Sequence, residues 1–401
     1  MASASTHNRS TAAALEQRAM RMVFFITGFG MAAWAPLVPF AKGRLGISEA
    51  GLGLLLLCLG TGSIVTMPLA GAVAARVGSR LVIVASGLLL CLTLPLLAAV
   101  SSLPILVAAL LVFGAAVGAL DVAMNIRAII VERASGRPMM SGFHGQFSLG
   151  GIAGAGGVTV LLAAGASPLT ATLVVAVGII VALAMAAPHL MPYGSRTLGP
   201  VFALPRGIVL VIGVLCFIGF LAEGAVLDWS AVFLTSVHGM ATSYAGLGYA
   251  VFALTTTLGR LTGDRIVQRI GGGNTIMFGG LCAGSGFALT TLPQSWQGAL
   301  AWQGAQSWHG APAWQAALLG YALVGVGCAN IVPVLFTAVG RQTVMAENVA
   351  VPAITTLGYA GILVGPAAIG FVAHAASLSA AFLIVAVMLC GVAASGRLLR
   401  V

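Results

Sequence analysis

Asp121 and Asn125 lie four residues apart inside the apolar run 103–131, whose only other charged residue is Arg127. In a helix that spacing puts the carboxyl and the carboxamide on one face. A carboxylate near the middle of a bilayer costs about 2.5–3.5 kcal/mol on insertion scales, so it needs either a partner or a task. The task would be to accept a proton or a solute hydroxyl, with the proton gained on one side and lost on the other as hydration changes. The partner would be an Arg or a His, for which His144 on the following run is a candidate. Arg127 falls about 120° further round the helix and reads better as pairing near the cytoplasmic end.

A second acid, Glu223, sits mid-way along the run 207–233, with Asp228 five residues on and about 140° away. Glu223 reads as a cavity carboxylate or a structural one, Asp228 as an external-end pair or cap. His144 and Gln146 follow one turn into the run 141–165, and His144 could switch near neutral pH or be a satisfied packing group. Trp34 and Trp229 occupy similar places in two runs. Their flat faces and indole N–H groups suit sugar-like solutes, while interface anchoring is the other reading. Tyr249, Tyr321, Tyr359 and Asn330 complete the candidate polar groups.

Other chemistries lack their residues. No G-x-x-x-x-G-K-[ST] loop is present to hold a nucleotide, and no H-E-x-x-H cluster suggests a membrane enzyme. The six cysteines fall within apolar runs without metal spacing. The expectation is a non-enzyme with no cofactor or metal, dependent at most on a proton gradient.

The elements that must carry these groups are membrane helices. Of 401 residues, 60% are hydrophobic and 6% charged, against about 25% charged in soluble domains. A span needs roughly 20 apolar residues, and the backbone must satisfy itself in lipid, so the runs are predicted to be helices. Twelve are expected near 22–41, 50–74, 80–100, 103–131, 141–165, 169–190, 207–233, 243–264, 274–292, 314–337, 349–372 and 378–396. Residues 1–20 read as a disordered cytoplasmic tail, 191–206 as a cytoplasmic linker and 397–401 as a second tail. The net charge of +10 follows topology. With both termini cytoplasmic, fourteen arginines flank the inner ends, while Lys42 and Arg44 lie outside. Nucleic acid binding is therefore not expected. A monomer in a bacterial inner (cytoplasmic) membrane, contacting lipid and a small solute, is.

Two repeats organise the chain. WQGALA, WQGAQS and WHGAPA recur at six-residue spacing around Trp296–Trp314, as an external platform or a local duplication at the interface. More consequentially, AGAVAARVGSR at 70–80 returns as GDRIVQRIGGG at 263–273, close to half a chain later. Spans five and eleven are both glycine-dense, and Gly114 and Gly118 give span four a small-residue face for close helix approach. The chain thus reads as two six-helix bundles, 21–190 and 207–396, an architecture in which transporters hold solute near the midplane.

The paired motif resembles the loop signature of the major facilitator superfamily. Gly71, Arg76, Gly78 and Arg80 carry it in the first half, with Ala75 where that family has Asp. Gly259, Arg260, Gly263, Asp264, Arg265, Arg269 and Gly271 carry it in the second, with Gln268 at the later acidic position. The resemblance implies a cytoplasmic gate whose latch is either lost with the missing acid or moved to Asp264, Arg260 and Glu347. ALDVAMN, GFHGQFSLGGIAGAG and AEGAVLDW further resemble the YbjJ/MosC branch near the fucose-permease group. Symporters of that group carry an acid followed by Asn in span four, as Asp121 and Asn125 do here, and a further acid in span one, where this chain has none, so the fucose–proton mechanism does not transfer directly. The leading expectation is a secondary transporter of a small polar organic solute, proton-coupled, working by alternating access. The alternative is a drug or metabolite efflux antiporter of the same fold. Such exporters carry a glycine–proline signature in span five, and no proline stands among the glycines here.

Overall fold

In a computed structural model the chain is helical throughout, with no strand among the described residues, which are 2–47, 49–191, 203–292 and 312–398. The helices are α1 (Ala2–Ala32), α2 (Val38–Leu45), α3 (Glu49–Val77), α4 (Ser79–Ala99), α5 (Leu103–Ser135), α6 (Met140–Ala163) and α7 (Pro168–Ala186). They continue with α8 (Ile208–Ser236), α9 (Leu247–Ile270), α10 (Gly272–Thr290), α11 (Pro312–Cys328), α12 (Ile331–Arg341), α13 (Glu347–Ala375) and α14 (Leu378–Ser395). Among the described residues, ten stretches are long and apolar enough to cross a membrane, α1–α2 and α11–α12 each counting as one. The remaining long helices, α9 and α10, complete the twelve expected spans. Charges on α9 (Arg260, Asp264, Arg265, Arg269) and glycines on α10 dilute their hydropathy.

The N-terminal residues correct the expectation of a disordered tail. Helix α1 runs through them, and Glu16, Ala19 and Met20 are buried. The tryptophan repeat at 296–308 and most of the 191–206 linker lie outside the described residues.

The chain divides into two compact units, Met1–Val209 with Gln342–Thr356, and Leu210–Arg341 with Leu357–Val401. In the first unit, helices meet backbone to backbone through glycine. A Cβ on Gly28 of α1 would fall 2.0 Å from the Phe147 carbonyl oxygen, and one on Gly150 of α6 would fall 2.0 Å from that of Phe25. Gly114 and Gly118 of α5 stand in the same relation to Leu59 and Ser63 of α3. Even one methyl cannot enter without parting the helices, and overpacking of this kind costs about 1–3 kcal/mol. Gly114→Ala is therefore expected to lower the melting temperature of the detergent-solubilised protein by several degrees. An unchanged melting curve would show that this contact yields freely.

Helix ends in the first unit are closed by long-range polar contacts. Arg44 donates to the carbonyls of Leu97, Ala98 and Val100 at 2.7–2.9 Å, capping the C-terminal end of α4. Glu132 accepts from the amides of Met139 and Met140 at 2.7 and 2.8 Å, capping the start of α6. Arg127 is fully buried and ion-paired with Glu16 of α1. It also donates to Ser79 at 3.4 Å and to the carbonyl of Met191.

The second unit repeats the scheme. Gly361 of α13 meets the Phe217 carbonyl of α8, and Gly279, Gly286, Gly320 and Gly327 bring α10 against α11. The repeat seen in sequence returns as backbone geometry: Gly78 and Gly271 both have positive φ, 89° and 79°, each opening the next helix. Beyond the end of α8, His238 is buried, its Nε2–H donating to the Thr290 carbonyl at 3.0 Å while Nδ1 has no partner. Burial lowers the proton affinity of the ring, slightly opposed by the Thr290 bond. The neutral ring belongs to the folded state. Its contribution is present above the ordinary histidine pKa of about 6.5 and is lost as pH falls below it. The melting temperature should drop between pH 7 and pH 5, and His238→Gln should flatten that dependence.

Candidate functional site

In the first unit the site is built on α5. Asp121 is 8% exposed and Asn125 fully buried. Asn125 Nδ2 donates to the Asp121 backbone carbonyl at 2.9 Å and to its carboxylate Oδ1 at 3.3 Å. The four-residue spacing produces this pair. Asp121 has no ion pair among the described residues, and His144, considered as its partner, forms none with it. The ring of His144 packs instead against Phe24 of α1, with centroids 5.4 Å apart. Arg127 points to Glu16 and leaves the Asp121 charge uncompensated. The carboxamide Oδ1 of Asn125 is buried without a donor. Trp34, in the proline-interrupted turn between α1 and α2, is buried with its indole N–H lacking an acceptor. Gln146 is half-buried on α6.

The second unit holds a different electrostatic arrangement. Glu223 of α8 accepts from Arg260 Nη2 of α9 at 2.6 Å, with both side chains largely buried. Tyr249 lies within electrostatic reach of both and of Asp228. Trp229 rests on Gly370 of α13, where a Cβ would sit 3.4 Å from its ring, and its indole N–H is likewise without an acceptor. Asn330 donates to the Gly259 carbonyl at 3.1 Å, leaving a buried Oδ1 without a donor. Tyr359 meets Phe220 edge-on at 6.0 Å, and the fully buried Tyr321 hydroxyl has no partner.

The gate motif is divided by this arrangement. Gly71 is buried where α3 crosses the start of α13: its Cβ would strike Pro352 and the Asn348 carbonyl. Arg76 is exposed and Arg80 partly so, while Gly263 is buried and Arg269 exposed on α9. Two of the residues named for the latch are ion-paired. Arg260 is an ion-pair partner of Glu223, and Glu347 pairs with Arg133 of α5, inside the first unit. Sequence spacing missed Glu16 as the partner of Arg127, because 111 residues separate them.

The model of the Major Facilitator Superfamily matches residues 22–308, most of the chain. The chain belongs to that superfamily. Among superfamily relatives, an uncharacterized MFS-type transporter of Yersinia pestis is 54% identical over 383 residues, covering 95% of each chain. Membrane protein MosC of Rhizobium meliloti is 31% identical, covering 92% of this chain and 86% of its own. Among solved structures, the Escherichia coli fucose:proton symporter superposes with a TM-score of 0.74 at 14% identity, covering 96% and 99% of the two chains. The proton:xylose symporter XylE gives 0.75 at 12% identity, covering 96% and 95%. At such identities the likeness is one of fold. The protein is a multi-pass membrane transporter of the superfamily, not an enzyme, and its partners are a small-molecule solute and the bilayer.

Proposed function

We propose that the protein is a proton-coupled secondary transporter of a small, polar, uncharged organic solute, sugar-like in its hydroxyl content, operating by alternating access. The observation that carries this reading is Asp121: a buried carboxyl on a membrane helix that, among the described residues, is bonded to Asn125 and has no cation beside it. Its protonation follows its access to water, because charge without hydration or a counter-ion is costly there. The uncharged character of the solute comes from the other ions. Arg127 and Arg260, the buried guanidinium groups among the described residues, are already committed to carboxylates.

The unpartnered buried atoms support a hydroxyl-rich solute. Two indole N–H groups need acceptors and two carboxamide oxygens need donors. A hydroxyl supplies both. The fold-level likeness to carriers whose names specify fucose and xylose agrees with that chemistry. The absence of proline from α6 weighs against the efflux alternative. In this reading the protein is a monomer of the bacterial inner membrane with cytoplasmic termini. It uses the proton gradient and no bound cofactor or metal, and does not engage nucleic acid.

The test is a thermal-shift screen of monosaccharides and related polar metabolites, followed by uptake into proteoliposomes with and without an inward proton gradient. Gradient-dependent accumulation of a neutral hit is expected. Solute movement that ignores the gradient, or stabilisation only by anions, would overturn the proposal.

A further inference from the structure

Span ten is interrupted. Helix α11 ends at Cys328 and α12 begins at Ile331, leaving Ala329 and Asn330 as a turn. Pro333 explains the interruption, because it has no N–H to offer the carbonyl four residues back, that of Ala329. A carbonyl freed inside a membrane helix must find another donor. It comes from a different helix: Arg260 Nε donates to the Ala329 oxygen at 3.3 Å while Nη2 holds Glu223. One guanidinium therefore joins α8 to the opened turn. The turn is packed tightly as well, since a Cβ on Gly259 would lie 2.6 Å from that of Ala329. Asn330, fixed through its Nδ2 to the Gly259 carbonyl, is left with a buried oxygen that accepts nothing.

We infer that Arg260, anchored by Glu223, is a positioning residue for the solute. It holds the proline-opened turn in the shape that presents the Asn330 carboxamide oxygen to a solute hydroxyl. The motif containing Arg260 thus serves the interior of the second unit rather than a cytoplasmic latch. The inference rests on the reading of the protein as a carrier of a hydroxyl-bearing solute, but the geometry of the turn can be tested without any solute.

Cys328 adjoins the turn and is 1% exposed, so it reports opening when it is the sole remaining cysteine of the full-length protein. Arg260→Lys keeps a cation for Glu223 but loses the planar fork that serves two acceptors. Maleimide labelling of Cys328 should then accelerate about tenfold through local opening. Pro333→Ala restores the missing amide, so the double variant should label at the parental rate. A residue serving only as counter-ion to Glu223 would show no such rescue. The neutral pair E223Q/R260Q leaves no unpaired ion to unfold the protein, and it should behave as R260K does, including the rescue. Unchanged labelling in R260K, or failure of Pro333→Ala to rescue, overturns the inference.

L-fucose and D-xylose supply the solute arm. Protection of Cys328 by either, lost in Asn330→Ala, supports the contact. Protection by neither, or protection that survives Asn330→Ala, removes Asn330 from solute binding. Loss of proton-driven uptake in Asp121→Asn is read separately, so the carrier reading and the turn can fail independently.

Discussion

Proteoliposomes containing Asp121→Asn should bring solute only to equal concentrations inside and outside under an imposed proton gradient. With one proton per solute, each pH unit is worth about 1.36 kcal/mol, or tenfold accumulation. The expected change is from about tenfold accumulation at one pH unit to none. Asparagine is nearly isosteric with aspartate, and its carboxamide oxygen can still accept from Asn125, now at 3.3 Å from the carboxylate. The helix and the local polar pair should therefore survive, and only proton exchange should be lost. Counterflow, in which preloaded solute swaps for labelled solute without net proton movement, should be partly retained. Accumulation at the wild-type level in the asparagine variant would exclude Asp121 from coupling.

The largest effect on stability is expected fewer than two turns further along the same helix. Arg127 is fully buried with its cation held by Glu16. Removing one member of a buried pair strands the other charge and costs about 3–5 kcal/mol, whereas replacing both by apolar groups of similar volume is often neutral. Glu16→Ala should therefore abolish expression or lower the melting temperature sharply. The double variant Glu16→Leu/Arg127→Met should recover most of that loss. Equal damage from the single and double variants would mean that the pair is held for its hydrogen bonds to Ser79 and Met191 rather than for charge balance.

The membrane fold was legible because its cause is local. Uninterrupted apolar length dictates helices, and turn signals such as Ser101–Pro104 delimit them, as the α4–α5 boundary shows. The Asp121–Asn125 pair was legible for the same reason, as both partners lie on one turn of one helix. Long-range ionic partners were not. The loop motif supplied Arg260 with a plausible latch role, but register along α9 places it beside Glu223, 37 residues away. The polar character of residues 1–20 suggested disorder because their partner surface, including Arg127, is assembled only in the folded bundle. Pro333 was visible in sequence, but which donor would satisfy the carbonyl it freed depended on how α9 packs against α11.

The assignment of Gln342–Thr356 to the first unit bears on biogenesis. The ribosome completes Val209 and then makes more than a hundred further residues before that segment emerges. At about 5–20 residues per second, the interval lasts roughly 7–25 s. Throughout it, Gly71 and Arg133 lack their eventual neighbours Pro352 and Glu347. The early half must wait in the insertion machinery with part of its surface uncovered, so truncation after residue 209 should yield a substrate for membrane quality-control proteases.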